Sequence, residues 1–563
     1  MLKKIIKKYI VLFVVANTAI MMQSCSDYLD RFPWDGPSDA NYFANEDELM
    51  LAVNGLYSAM VYLPLDNMPT NLLLDNMTDM GWDRNNSAMQ SMGRGDHNAN
   101  NGFALTIWRE SYRIIGKCNF VINNIDRLEG KIDEGLYNRT QSEARFIRAY
   151  TYSRLTDYYG SVPFLTENVG LYDAEIGKTN KETIVDFILQ ELEEIAPMLP
   201  ATIPASEAGR ASRAAALTLR ARTALNNRRW EEAASSAKAV MDMDVHSLHS
   251  DYAELFTYAG QNSSEIIFAE QYLRTQNVQT HYINRRLASR NALGNSNKIP
   301  AQGLVDLFLC TDGLEIDKSG NYDPEKPFEN RDPRLGYTIG VPGSIYLGYQ
   351  FETHRDSTRV WNYNVTPAIR VPNEDATNAY ATFSGYLWRK YVVAEDLDFP
   401  DQSELNIIQI RYAEVLLIYA EAMIELNRLD HTVYEALNAI RQRPTVNMPV
   451  ISEGKTQREL RELVRKERVY ELAMEGFRLM DLRRWELADK MMNARVYGSI
   501  QSGRLAAAPS IDEDGFVDYT KVPNHNEMRV VEVRTFNPAR DYLWPIPHIE
   551  TVTNPNLEQN PGY

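Results

Sequence analysis

Apolar side chains recur three and four residues apart through much of the chain. From Arg411 to Asn427, Tyr412, Val415, Leu416, Tyr419 and Met423 share one helical face, and Val433, Ala436, Leu437 and Ile440 repeat the pattern after a short polar break. This predicts an antiparallel helix pair. A second pair is predicted where Ala216, Leu219 and Ala224 lead into the turn Asn226-Asn227-Arg228-Arg229, followed by Trp230, Ala233, Ala234, Ala237 and Val240. Alanines at crossing positions and an aromatic at the turn mark degenerate tetratricopeptide repeats. One pair cannot cover its own apolar face, so several must stack into a right-handed superhelical scaffold. Three threonines stand three residues before a glutamate in the spacing of a capping box: Thr140 with Glu143, Thr179 with Glu182, and Thr456 with Glu459. They predict helices near 142–158, 181–197 and 457–474. Further helices are predicted over Phe103 to Leu128 and Glu46 to Met60.

The pattern breaks between 291 and 405. Gly, Pro, Asn and Asp are frequent there and apolar runs are short, which predicts long irregular loops with a few strands. Loops of that length in a compact protein are usually either functional or disordered. With no clean linker in sight, the fold expected is mainly α: one domain over 25–563, with a helical-repeat part at 25–290 and a loop-bearing part at 291–563. The last segment, FNPARDYLWPIPHIETVTNPNLEQNPGY, holds Pro545, Pro547, Pro555 and Pro561, each fixing φ and removing a backbone donor. It reads as an extended strap packed down by Tyr542, Leu543, Trp544 and Ile546.

The other end carries an export pattern: Lys3, Lys4, Lys7 and Lys8, an apolar run from Tyr9 to Met22, then Met22-Gln23-Ser24-Cys25. Fourteen residues are too few for a stable membrane span. A small residue before a cysteine predicts lipoprotein processing, with residues 1–24 removed and Cys25 lipidated. At roughly 0.8 kcal/mol per buried methylene, several acyl chains on one cysteine give durable attachment to a membrane.

The 563 residues include 59 Lys and Arg against 76 Asp and Glu, a net charge of -17. Removal of residues 1–24 takes four lysines and no acids, which gives 55 minus 76, or -21. Such a surface repels nucleic acid and anionic lipid. Cys118 and Cys310 form no CxxC pair and read as buried thiols rather than a disulfide or a zinc site. Catalytic signatures are missing. Gly177-Lys178-Thr179 has Tyr172 where a phosphate loop needs its first glycine, and neither GxSxG nor HExxH occurs. His246 and His249 lack a third ligand. Asp512, Asp514 and Gly515 echo a calcium loop without its twelfth-position acid, and Arg94-Gly95-Asp96 is a tripeptide that arises by chance. Glu471 and Glu475 lie one helical turn apart and invite an acid/base reading. Interleaved with Arg468, Arg478 and Arg484, they suit charge-assisted pairs between helices better.

Four stretches together resemble the SusD/RagB family: the C-terminal strap; Tyr28-Leu29-Asp30 with Pro33, Asn41-Tyr42-Phe43 and Asn54-Gly55-Leu56-Tyr57; Arg411 to Leu417 continuing to Ala420-Glu421-Ala422; and Glu467 to Leu472 through Glu475-Gly476-Phe477-Arg478 to Trp485. The resemblance implies a SusD-like helical-repeat fold in a surface lipoprotein of the outer membrane. It also implies a protein without catalysis or cofactor that captures an oligosaccharide for a SusC-like TonB-dependent transporter. A peptide-binding member of the same family is the nearest rival, with a glycoside hydrolase and a purely protein-binding scaffold behind it.

A glycan offers apolar C–H faces and hydroxyl rims, so its site needs flat aromatics flanked by polar side chains. Trp108 and Trp230 fall in helix patterns, Trp485 and Trp544 in the family stretches, which leaves Trp34, Trp82, Trp361 and Trp388. Trp82 with Asp83 and Arg84, in a polar glycine-containing break, is the first candidate platform. Trp361 with Tyr363, alternating with asparagines, is the second. Trp388 is read equally as core or ligand contact, and Asp39, Asn41 and Asp66 as possible rim residues.

Overall fold

The computed structural model describes residues 43–168, 170, 175–275 and 279–563. Cys25, Trp34, Asp39 and Asn41 lie outside them. The principal helices are α1 (Glu46–Met60), α2 (Gly102–Asn124), α3 (Glu134–Tyr159), α4 (Lys181–Ile195), α5 (Arg213–Asn226), α6 (Trp230–Met241), α7 (Tyr412–Glu425), α8 (His431–Arg441), α9 (Gln457–Leu472) and α10 (Arg478–Arg484). From α2 to α8 each packs on the next in sequence, α7 lying against α6 across the intervening loop-rich segment, and α9 also packs on α7. Both predicted pairs, α5/α6 and α7/α8, are present. α7 is buried on nearly every face, from Ala413 to Ile424, which places it at the centre of the helical layer.

The caps differ in part from the sequence reading. Thr456 and Glu459 form the full reciprocal box at the start of α9. Thr140 caps nothing: α3 begins two turns earlier, where the Asp133 carboxylate accepts the Leu136 N–H at 2.9 Å, and the Thr140 hydroxyl instead donates to the Leu136 carbonyl. Glu143 is free of the cap and pairs with Arg139 and Arg210. At α4 the cap is Asn180, accepting the Glu182 N–H at 2.8 Å, while Thr179 bridges by its backbone to Val162.

The strands are short: β1 (Gly81–Asp83), β2 (Ile266–Glu270), β3 (Lys298–Pro300), β4 (Ile345–Tyr346), β5 (Tyr349–Gln350), β6 (Arg359–Asn362), β7 (Ile369–Pro372), β8 (Ile407–Arg411), β9 (Arg495–Tyr497) and β10 (Val530–Val533). β1 pairs with β3, β2 with β8 and β9 with β10, and β4-β5-β6-β7 form one antiparallel sheet in that order. The sheet lies within the segment 291–405, where loops and a few strands were expected.

The strap is clamped by its aromatics. The Trp544 ring stacks on Tyr158 with centroids 4.3 Å apart and meets Tyr159 and Phe103 at steeper angles. Asn560 donates to the Tyr159 and Trp544 carbonyls, both at 2.8 Å. A short helix, His548–Thr553, interrupts the extended course. Cys118 and Cys310 are free and buried, as their isolation in the sequence predicts.

Candidate functional site

The paired glutamates of α9 and the turn after it form a closed ionic cluster. Glu471 accepts from Arg411 at 2.7 Å, Arg443 at 2.9 Å and Arg334 at 3.1 Å, and Glu475 from Arg411 and Lys390 at 2.7 Å each. Glu265 and Glu467 complete the set through Arg443 and Arg334. Burial raises the cost of each carboxylate charge, but the guanidinium groups, joined at Glu475 by the Lys390 ammonium, prevail and hold both acids below the usual range. Neither has a proton to give near neutral pH. The arginines named from sequence pair elsewhere: Arg468 and Arg484 with Asp481, Arg484 with Glu421, and Arg478 with Asp79. These clusters tie α7, α9, α10 and the β2/β8 ladder together, a positioning role typical of buried ion pairs.

The first candidate platform is not open to solvent. Trp82 lies in β1 opposite Ile299 and is 8% exposed. Its indole N–H donates to Glu532 at 3.0 Å, and its ring stacks on Phe383 at 5.7 Å. Asp83 is buried against Lys298 at 3.1 Å, and Lys298 also holds Asp66 at 2.6 Å. The acids near Trp82 are thus taken up by Lys298 rather than left for a ligand, which corrects that expectation: Trp82, Asp83 and Asp66 form a support. Trp388 is fully buried, with its indole N–H on Asn76 at 3.0 Å.

The second candidate faces outward. In β6, Val360 points to the core and Trp361 away from it, 38% exposed, with Tyr363 46% exposed just beyond the strand. Trp361 sits directly across from Arg370 of β7, whose guanidinium lies 5.4 Å from the indole centroid. Tyr363 is fixed by its N–H on the Gly348 carbonyl at 2.8 Å. β7 then runs into Asn373, whose amide donates to Glu352 and Ser357 carbonyls and whose oxygen caps the short helix Glu374–Thr377. That helix delivers Tyr380, which is 66% exposed and which sequence reasoning missed.

Arg84 joins this loop to β1. It donates to the Tyr380 carbonyl, to Ala381 at 3.1 Å and to Asn295 at 2.8 Å, and its guanidinium lies over the Phe383 and Tyr380 rings. Trp361 and Tyr363, with Arg370 beside the indole, and Tyr380, with Arg84 over its ring and over the neighbouring Phe383, are therefore the exposed aromatics of this loop-rich segment and make up the candidate aromatic ledge. Flat rings beside amide and guanidinium donors are suited to stacking a sugar face and bonding its hydroxyls.

Lys490 lies 2.8 Å from Asp512 and 2.5 Å from Asp514, so the acids that echo a calcium loop are already paired with a cation of the chain itself. His246 bonds the Ser264 carbonyl and His249 pairs with Glu254. Among the described residues no three His, Cys, Asp or Glu side chains are grouped as a metal would need.

Comparison with known proteins decides the family. The profile of the SusD family matches residues 264–563, more than half of the chain, and a second profile, described as starch-binding associating with outer membrane, matches residues 27–225. The chain belongs to the SusD family. The SusD-like protein P2 of Formosa agariphila is 26% identical over 99% of this chain and 100% of its own. A SusD-like carbohydrate-binding protein from Bacteroides fragilis, solved by crystallography, is 29% identical with a TM-score of 0.80, covering 92% of this chain and all of its own. Surface glycan-binding protein A from Bacteroides fluxus shares the fold at 19% identity and TM-score 0.67, with 92% and 100% covered. The SusD-like helical architecture expected from the resemblance is thus present. Among the described residues no helix is long and apolar enough to cross a membrane.

Proposed function

We propose that this SusD-family protein is a non-catalytic surface lipoprotein that captures an oligosaccharide on the ledge of Trp361, Tyr363 and Tyr380 and passes it to a SusC-like TonB-dependent transporter. The observation that carries the reading is the exposure of these three large aromatics within one loop-rich segment, in a chain that buries most of its other tryptophans. Stacking on an open ledge holds a sugar loosely enough for release. The carbohydrate-binding description of the Bacteroides fragilis relative supports the ligand class, and the outer-membrane description of the matching profile supports the compartment. Acylation at Cys25 would supply the anchor.

Calorimetry of the soluble protein, cut after Cys25, against oligosaccharides and peptides tests this. Saccharide binding that falls about five- to thirtyfold in both Trp361→Ala and Tyr380→Ala, with unchanged thermal melts, is the expected result; stacking of one ring is worth about 1 to 2 kcal/mol. Binding of peptides alone would transfer the site to the peptide-binding rival.

A further inference from the structure

The chain as a whole is acidic, yet the ledge ends in a corner of guanidinium groups. The guanidinium carbon of Arg529 lies 3.8 Å from the centroid of Phe383, and that of Arg84 lies 5.4 Å from the same ring. Two cations on one ring repel. Burial, with Arg290 and Arg529 nearby, pulls Arg84 down to about 10. Arg84 at least commits its donors to the Tyr380, Ala381 and Asn295 carbonyls and the Asn85 side chain. The guanidinium of Arg529 has neither hydrogen bond nor ion pair with any described residue, although the group is half-buried.

Arg529 also lines a cavity of about 50 Å³. Ser499 and Gln501 line it too, and their hydroxyl and amide likewise make no hydrogen bond to a described residue. A water molecule needs roughly 10–15 Å³ in that measure, so there is room for a group of a few heavy atoms. Asp375 is the acid on the cavity wall among the described residues. Its two oxygens accept the backbone N–H groups of Arg290 at 2.6 Å and Asn291 at 3.4 Å. The corner therefore holds a guanidinium without a carboxylate partner beside the half-buried Ser499 hydroxyl and the exposed Gln501 amide, in a hollow close to Tyr380.

We infer that this corner is a subsite for an acidic substituent, a carboxylate or a sulfate, carried by the oligosaccharide that the ledge stacks. The inference rests on the glycan reading above and narrows its ligand class to anionic glycans. A guanidinium presents two parallel N–H donors to two oxygens of one oxyanion, a match a neutral hydroxyl cannot make. Bringing an anion into the hollow also relieves the repulsion between Arg84 and Arg529. The acidic body excludes polyanions elsewhere on its surface, so selection for this corner becomes a matter of register along the ledge.

Calorimetry of the mature protein with length-matched pairs tests the inference: oligogalacturonate against its carboxyl-reduced form, and a sulfated carrageenan oligosaccharide against its desulfated form. The charged member of at least one pair should bind about ten- to a hundredfold tighter than its neutral partner at low salt, and the pair that shows the preference identifies carboxylate or sulfate. Arg529→Gln should abolish the preference while leaving the neutral affinity in place, and Arg529→Lys, which keeps charge without the fork, should retain part of it. Equal affinities within both pairs would overturn the anionic subsite and leave the glycan reading intact. Silence across the whole panel would overturn both.

Discussion

A carboxylate buried among guanidinium groups and one buried without them respond to pH in opposite senses, and this chain holds both. Arg411→Met would leave Glu471 and Glu475 short of their shared cation, and unfolding by urea should show a loss of about 3–5 kcal/mol. Asp75 is fully buried. It accepts the Gly476 N–H at 3.2 Å, and burial, reinforced by Glu475, pushes it up to about 7. In the unfolded chain it ionises near the ordinary carboxylate value, so between those two values the folded state binds more protons, and stability falls as pH rises to about 7. Asp75→Asn removes that dependence. Relative to the parent, the variant should gain stability between pH 5 and pH 8 by up to about 1.4 kcal/mol per unit across the window, and denaturant unfolding at the two pH values checks it. At this scale the sequence was least legible. Trp82 was marked by Asp83 and Arg84 beside it, but their partners Lys298, Tyr380 and Asn295 lie more than two hundred residues away. Tyr380 had no local signal at all, because its exposure follows from the helix that Asn373 caps.

At the scale of elements, periodicity was a sound guide and caps a weaker one. Helix pairs were visible because their apolar stripes are long, whereas a Thr-to-Glu spacing arises readily by chance inside a helix, as at Thr140. The two candidate caps of α4 separate these cases. Asn180→Ala should cost about 1 kcal/mol, while Thr179→Ala, whose hydroxyl caps nothing, should be close to neutral; thermal melts of the pair decide it. The turn between α9 and α10 is legible for a different reason. Gly476 has φ +85°, and a Cβ there would lie 2.5 Å from the Asn71 carbonyl oxygen. Gly476→Ala should therefore destabilise by about 2 kcal/mol or more through both strain and contact, with a lower melting temperature. Such a requirement explains why the Glu-Gly-Phe-Arg stretch carried the family resemblance so clearly.

For the whole molecule, charge and the proposed anchorage act against each other. The mature chain proposed to begin at Cys25 would carry 55 basic and 76 acidic residues, so its body would be repelled by anionic lipid and gain nothing from an electrostatic approach to a membrane. Under the proposed function, attachment would then depend on acyl chains, each methylene contributing roughly 0.8 kcal/mol. Cys25→Ala should abolish incorporation of labelled palmitate and move the protein from the membrane to the soluble fraction, with no residual pool held by charge and with saccharide affinity in solution unchanged. A variant that loses the label yet remains with the membrane at high salt would point to a protein partner as the anchor. The same body explains why a basic corner at Arg84 and Arg529 is conspicuous: in a molecule of net negative charge, a guanidinium without a carboxylate partner is the spot where the proposed acidic sugar would settle.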